Sequence, residues 1–315
     1  MSSTFRGAIL IYIFINIAIS KPASAESENS ALDPMPVAIA GSVTHVLRSE
    51  KINETFKIDV ALPNSYGVGE RKYPVVYVTD GGGNFPIVVG NLRMLSLGFE
   101  MPDVIVVGIG YNTADIPRIL AIRTRDLTPT IDEAYTQQAR KSPMFPLPDD
   151  VTPGGADDFV HFINLEIKPF INKNYRTDPG NETLLGYSLG GLFGLHVLFN
   201  HTDSFDKYII GSPSIWWDNT VSFSYEAEYA ENNKDLAKKV FISSGGLEED
   251  PEGDSRMVTN MIKMFTRLNS RLYPGLVLDH YVFAGETHMS GMGTAFNRGL
   301  RFVFKDEMPK PPSAE

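Results

Sequence analysis

Ser188 stands in Gly186-Tyr187-Ser188-Leu189-Gly190, a Gly-x-Ser-x-Gly turn whose spacing marks the serine as a candidate nucleophile. Such a pentapeptide also recurs by chance as a glycine-rich loop before a helix, so its surroundings must discriminate. The apolar run Thr183-Leu184-Leu185 stops at the turn, and Leu192-Phe193-x-Leu195-x-Val197-Leu198 continues beyond it with helix-like spacing. Strand, turn and helix in that order are the context of a nucleophile elbow, which holds the serine in a strained backbone conformation. Side chains at the flanking positions would collide as strand and helix close around the turn, hence glycine on both sides.

A serine hydroxyl is a weak nucleophile at neutral pH, so it needs a base within hydrogen-bond reach and a carboxylate that fixes the base's tautomer. Of the six histidines, His45 falls in an early strand, His161 and His196 on helices, His201 after the elbow helix and His280 inside an alternating strand, where structural or exposed roles are expected. His288 differs: it follows the last strand directly, in Ala284-Gly285-Glu286-Thr287-His288-Met289, on the loop before the final helix. The acid is expected on the loop after the strand Val240–Ser243, which gives the order serine, acid, histidine. That loop, Gly245–Asp254, carries five carboxylates, most of them solvated charges. Glu248 ranks first because it stands nearest the strand end, with Glu249 second and Asp254 third. The run lacks the alternating ligand pattern of a calcium loop. Two N–H donors must also face the developing oxyanion. The amide of Leu189, next to the nucleophile, is one; Gly82, in the Asp80-Gly81-Gly82-Gly83 turn after an early strand, is the other. The constellation calls for no cofactor and no metal.

The elements that must position these groups alternate between strand and helix. Val43–Leu47 and Phe56–Leu62 read as an antiparallel hairpin at a sheet edge. Tyr73–Val78 and Val104–Ile109 are β-branched runs expected in strands buried on both faces of a mainly parallel sheet. Helical spacing over Ala156–Ile171, strands at Tyr208–Ile210 and Val240–Ile242, a helix at Met257–Leu268, a last strand at Leu276–Phe283 and a final helix near Thr294–Phe304 complete an α/β pattern. Asn112–Thr152, rich in proline, is too long for a plain connection and is expected to line the site and select the substrate.

The chain has 315 residues, 43% of them hydrophobic, which suits one catalytic domain over residues 41–305. Residues 1–25 read as a signal peptide: Arg6, an apolar run from Ala8 to Ile19, then Ala23-Ser24-Ala25. The run is shorter than the roughly 20 apolar residues of a spanning helix, so no stable membrane insertion is expected after cleavage. Residues 26–40 read as a flexible lead and 306–315 as a loose tail. A periplasmic or secreted location follows, yet there are no cysteines, so no disulfide and no lipidated cysteine is available. Cleavage would remove Arg6 and Lys21 and no acid, taking the formal charge from −10 to −12, which disfavours nucleic acid as a partner. The expected partner is a small-molecule ester; oligomeric state is not readable.

Over nearly all of residues 40–305 the chain resembles the esterase D-like branch of the α/β hydrolases, the "Putative esterase" family. The pieces that carry the resemblance are Tyr73–Gly81, Gly154–Phe159, Gly186–Gly194, Ser212–Trp217 and Gly285–His288. It implies an α/β-hydrolase fold, a mostly parallel central sheet with helices on both faces, and a serine esterase acting through an acyl-enzyme. It also places the second oxyanion amide on the residue after Asp-Gly, which is Gly82. Within the family the chain looks most like the siderophore esterases that cut catecholate trilactones, on Arg123–Pro129 and Ser214–Trp217. Arg123 and Arg125 would suit an anionic ferric catecholate and Trp216 would stack on aromatic rings. The plainer readings stay open, with the arginines paired to Asp126 or another acid and the tryptophans in the core. Relatives of this kind also deacylate sugars, cleave feruloyl esters or transfer acyl groups, so the substrate does not follow from the fold.

Overall fold

A computed structural model describes residues 38–144, 146–253 and 255–309. The expected signal peptide, most of the flexible lead, Asp254 and residues 310–315 lie outside the described residues. Among the described residues no helix is long and apolar enough to cross a membrane.

The strands are β1 (Ser42–Ser49), β2 (Glu54–Ala61), β3 (Tyr73–Val78), β4 (Ile105–Tyr111), β5 (Thr177–Tyr187), β6 (Lys207–Gly211), β7 (Lys239–Gly245) and β8 (Val277–Phe283). They form one sheet in the order β1-β2-β4-β3-β5-β6-β7-β8. The expected hairpin sits at its edge, with Ser42 opposite Ala61 and β2 antiparallel to β4; every pair from β4 to β8 is parallel. Parallel strands all present their C-terminal ends to one side, so the turns after β3, β5, β6, β7 and β8 gather along a single edge of the sheet.

The central strands are buried on both faces, as their unbroken apolar runs require. Along β3 the two-residue period sends Val75 and Tyr77 into one layer and Val76 and Val78 into the other. The first layer is filled from the helical side by Phe159, Phe162 and Phe193, the second by Phe85, Leu92, Phe296 and Leu300. Each such side chain, fully withdrawn from water, contributes about 1.5–3 kcal/mol.

Several helices depart from the sequence expectation. The Asp80–Gly83 turn is the start of a long helix, α1 (Gly81–Leu97). Three glycines disfavour a helix by propensity, but the close approach of β4 decides: a Cβ on Gly81 would lie 2.7 Å from backbone atoms of Gly108 and Ile109. The long proline-containing segment holds α2 (Ile116–Leu127), which Pro117 helps to start, and α3 (Glu133–Arg140). The helix expected over 156–171 is broken into α4 (Ala156–Phe162), a π-helical turn (Ile163–Ile167) and α5 (Lys168–Asn174). Pro169 has no N–H and would clash with the carbonyl four residues back, and the wider turn avoids that clash. The elbow helix α6 (Leu189–Asn200), a short kinked turn α7 (Trp217–Thr220), α8 (Ser222–Asn232), α9 (Met257–Ser270) and α10 (Met292–Val303) follow.

Candidate active site

Ser188 lies between β5 and α6 at φ 62° and ψ −120°, a left-handed conformation that costs a non-glycine residue about 1–3 kcal/mol. The surrounding structure holds it there. Its N–H donates to the Gly211 carbonyl (3.0 Å) and its own carbonyl accepts from Leu192 (3.0 Å) and Ser214 (3.1 Å). A Cβ on Gly186 would sit 2.1 Å from the Gly190 carbonyl oxygen, so the turn closes only with glycine at that position. The Ser188 hydroxyl has no hydrogen-bond partner among the described residues, and its side lies open enough to be half-buried.

His288 and Glu248 meet across the loops after β8 and β7. His288 Nδ1 is 2.6 Å from Glu248 Oε2, while Oε1 accepts from the Gly245 N–H and the Ser212 hydroxyl, each at 2.6 Å. The Glu248 side chain is only 3% exposed. Burial raises its pKa, but the bonds from His288, Ser212 and Gly245 outweigh burial and hold the carboxyl below its usual value. The acid is therefore ionised and aimed. Glu249, next in the chain, points its charge elsewhere: it accepts from the Thr259 N–H (2.9 Å), the Thr259 hydroxyl (2.7 Å) and Arg256 Nε (3.0 Å), at the start of α9. The structure thus brings Glu248, and not Glu249, to His288.

The sequence reading missed the supports of this pair. Tyr187, one residue before Ser188, donates its hydroxyl to the His288 carbonyl (2.8 Å) and its ring lies 5.2 Å from the imidazole. Burial pushes the Tyr187 pKa up to about 12, so the phenol stays a donor. Ser212, at the end of β6, is 2.8 Å from the Tyr187 oxygen as well as bonded to Glu248. It has one proton for both contacts, and the ionised carboxylate is the stronger acceptor. A polar residue immediately after an apolar strand, on the same edge as Ser188, was the available signal in the sequence.

Leu189 and Gly82 both lie in the first turn of a helix, α6 and α1 respectively, where amides lack intrahelical acceptors and the helix dipole favours negative charge. Arg123 connects these two turns. Its Nε donates to Asp80 (2.8 Å), the residue before Gly81, and its Nη2 reaches the Tyr187 carbonyl (3.4 Å). Its charge is already compensated by Asp80. Arg123 also lines a cavity of about 620 Å³, together with Leu120, Ala121, Tyr135, Leu147 and Leu189. The long segment therefore supplies most of the wall of a cavity that also reaches Leu189, the residue after Ser188. Arg125 is engaged elsewhere, in a two-pronged pair with Asp126 at 2.7 and 3.2 Å. Trp217 is fully buried and donates to the Thr130 carbonyl, whereas Trp216 is half-buried with its ring 6.0 Å from Tyr135.

The other histidines serve local contacts. His45 bonds Tyr175 (2.6 Å), His280 stacks on Phe265 (3.7 Å between centroids), and His196 and His201 both meet Asp157.

The chain is similar to known proteins over most of its length. The chain is 31% identical over 281 residues to the ferri-bacillibactin esterase BesA of Bacillus subtilis, covering 86% of this chain and 92% of that protein. It is 29% identical over 301 residues to a siderophore triacetylfusarinine C esterase of Aspergillus fumigatus, covering 87% and 96%. The crystal structure of the BES protein from Bacillus cereus superposes with a TM-score of 0.73 at 29% identity, over 87% of this chain and 99% of that one. The fold is that of the α/β hydrolases. With residues 49–274 matching its pattern, the chain belongs to the "Putative esterase" family and is an enzyme that hydrolyses esters.

Proposed function

We propose that this enzyme is a serine esterase in which Ser188 attacks the ester carbonyl, His288 is the base and Glu248 orients it. The observation that carries the reading is Ser188 held at positive φ on the elbow between β5 and α6, on the same sheet edge as the His288–Glu248 pair. Glu248 binds Nδ1, which leaves Nε2 of His288 as the atom that takes the serine proton and returns it to the leaving alkoxide. The ionised carboxylate stabilises the imidazolium formed in between. Amides of Leu189 and Gly82 donate to the oxyanion, each typically worth ~3 kcal/mol of barrier. Water then attacks the acyl-Ser188 ester by the same base. No hydrogen bond joins His288 to Ser188 among the described residues, and in free enzymes such contacts commonly close only around substrate.

The relatives' names direct the substrate reading to a siderophore ester, with the cavity beside Leu189 as its seat. A volume of about 620 Å³ is within the range of small-molecule sites. Because Arg123 is paired with Asp80, it acts there chiefly by shaping the cavity wall and holding the oxyanion turn. Arg125, bound to Asp126, is a poor candidate for direct contact, and Trp216 remains beside the wall residue Tyr135 as the aromatic surface. Export rests on the character of residues 1–25 alone.

Turnover of a p-nitrophenyl ester by wild type and Ser188→Ala tests the nucleophile. Activity is expected to vanish in the variant, with an acyl adduct trapped on the wild-type chain by mass spectrometry; undiminished turnover by Ser188→Ala would overturn the mechanism. Hydrolysis of ferric and iron-free trilactones, set against feruloyl and acetylated-sugar esters, tests the substrate class.

A further inference from the structure

Toward the end of the elbow helix remote from Ser188, three side chains converge on one point. Asp157 stands in α4, His196 in the last turns of α6 and His201 just beyond its end. His196 is eight residues past Ser188 along the helix, a separation of roughly 12 Å. The Nε2 atoms of both imidazoles approach the same carboxylate oxygen, Asp157 Oδ1, at 3.0 Å from His196 and 2.7 Å from His201. One ligand atom from each of the three lies within 4.8 Å of the others. We propose that Asp157, His196 and His201 form a binding site for a divalent transition-metal ion of the Zn²⁺ class, separate from the esterase centre.

The donor set and the distances fit such an ion. Two imidazole nitrogens and one carboxylate oxygen are ordinary zinc ligands, and three protein ligands leave a fourth position for water. With bonds of about 2.0–2.1 Å in tetrahedral geometry, ligand atoms stand roughly 3.3–3.4 Å apart. The present contacts open to that separation with a shift of about half an ångström, well within what side-chain rotation gives. His196 is braced, its side chain only 5% exposed, while His201 at 21% and Asp157 at 65% leave the outer side of the point open to solvent. His161, four residues after Asp157 on α4, brings a further imidazole whose ring lies 5.6 Å from that of His201.

Proton placement is consistent. Asn200 Nδ2 lies 3.1 Å from His196 Nδ1 and donates to it, so the neutral ring carries its proton on Nε2, toward Asp157. Metal at Nε2 requires that proton on Nδ1 instead, and the Asn200 amide offers its oxygen there only by turning over and giving up the bond that Nδ2 donates to the His196 carbonyl (3.1 Å). Asn200 is then the outer partner that orients the ligand, and the bound ion would clamp α4 to the end of α6.

Titration calorimetry with Zn²⁺ alone, on the full chain without an affinity tag, tests the site. Wild type is expected to bind one ion per chain, and Asp157→Asn and His201→Ala to bind at least about tenfold more weakly. His288→Ala removes the other place among the described residues where a histidine pairs with a carboxylate and is expected to keep the wild-type affinity. Zinc should raise the thermal midpoint of wild type and not of the two ligand variants, whose metal-free midpoints report whether they fold. Metal-free ester turnover by His201→Ala should match wild type. Equal zinc affinity in wild type and both ligand variants overturns the proposal, as does no binding by wild type. Should a variant fail to fold, Co²⁺ added to wild type decides: an intense visible band from a tetrahedral nitrogen and oxygen site supports the assignment, and the weak spectrum of the hydrated ion refutes it.

Discussion

In the proposed mechanism Ser212 is a positioning residue, and its removal can be followed quantitatively. Its hydroxyl supplies one of two donors to Glu248 Oε1, the other being the Gly245 N–H, in a side chain that water hardly reaches. A hydrogen bond to a charged group contributes about 1.5–3 kcal/mol, and each 1.36 kcal/mol is tenfold in rate. If the loss passes fully to the imidazolium-forming step, kcat of Ser212→Ala falls about 10- to 150-fold, with KM nearly unchanged because the hydroxyl faces the acid and not the cavity. Ser212 lies at φ 37°, so Ser212→Gly is the companion variant: it also lacks the hydroxyl but adopts that backbone without strain. Both should lose rate alike. The pH profile gives a second reading. Hydrogen bonds hold the Glu248 carboxyl below its usual value against burial, which raises it, so removing one of them moves its pKa up. The acid limb of kcat should therefore shift to higher pH. The same depressed pKa contributes stability that is present above the unfolded carboxyl value, about 4.3, and is lost as pH falls through the folded one; the variants should lose it earlier on acidification. Steady-state hydrolysis of a p-nitrophenyl ester across pH measures kcat, KM and the acid limb, and acid unfolding measures the stability. Rates within about twofold of wild type in both variants, with an unmoved acid limb, would refute the argument.

The two adjacent glutamates should separate cleanly by assay. Glu248→Gln is expected to lower kcat by about two to four orders of magnitude, since the amide favours the wrong imidazole tautomer. Glu249→Gln should leave kcat close to wild type and instead lower the thermal midpoint, by the equivalent of about 1 kcal/mol, because it weakens the bonds to Thr259 and Arg256 at the start of α9. The glycines of α1 should divide in the same way. Gly81→Ala forces a Cβ to 2.7 Å from the β4 backbone and should cost about 1–3 kcal/mol in denaturant unfolding. Gly82, where a Cβ would meet nothing within 4 Å, tolerates alanine, whereas Gly82→Pro deletes the amide in a first turn that accepts proline. Its kcat is expected to fall about a hundredfold or more while the fold survives, and an unchanged kcat would remove Gly82 from the oxyanion site.

Periodicity and local chemistry made most of the frame legible. Unbroken β-branched runs at Tyr73–Val78 and Val104–Ile109 can be satisfied only by strands covered on both faces, and such strands, alternating with helices, lead to a parallel sheet. The placement of Ser188 and His288 on one side of the sheet was legible for a related reason: each follows the end of a strand, and in a parallel sheet those ends lie on one edge. The helix from Gly81 was hidden because three glycines oppose helix formation locally, while the force that places them, the approach of β4, comes from a strand more than twenty residues away. The break in the helix after Phe162 was hidden in the opposite sense, since apolar spacing runs through it and only the carbonyl opposite Pro169 resists.

The acidic loop shows where local information ends. Glu248 and Glu249 are the same residue type, one position apart, and composition treats them alike. Their partners differ because a short turn after β7 directs one carboxylate at the β8 loop and the other at α9. The partners of Arg123, Ser212 and Tyr187 were equally out of view, since each contact joins segments brought together by the sheet rather than by the chain. A residue's own neighbours in sequence set its propensity and its distance from a strand end. Which charge it meets depends on contacts that exist only once the strands have paired, and in this protein that pairing sets one carboxylate and one phenol against His288, with the Ser212 hydroxyl between those two.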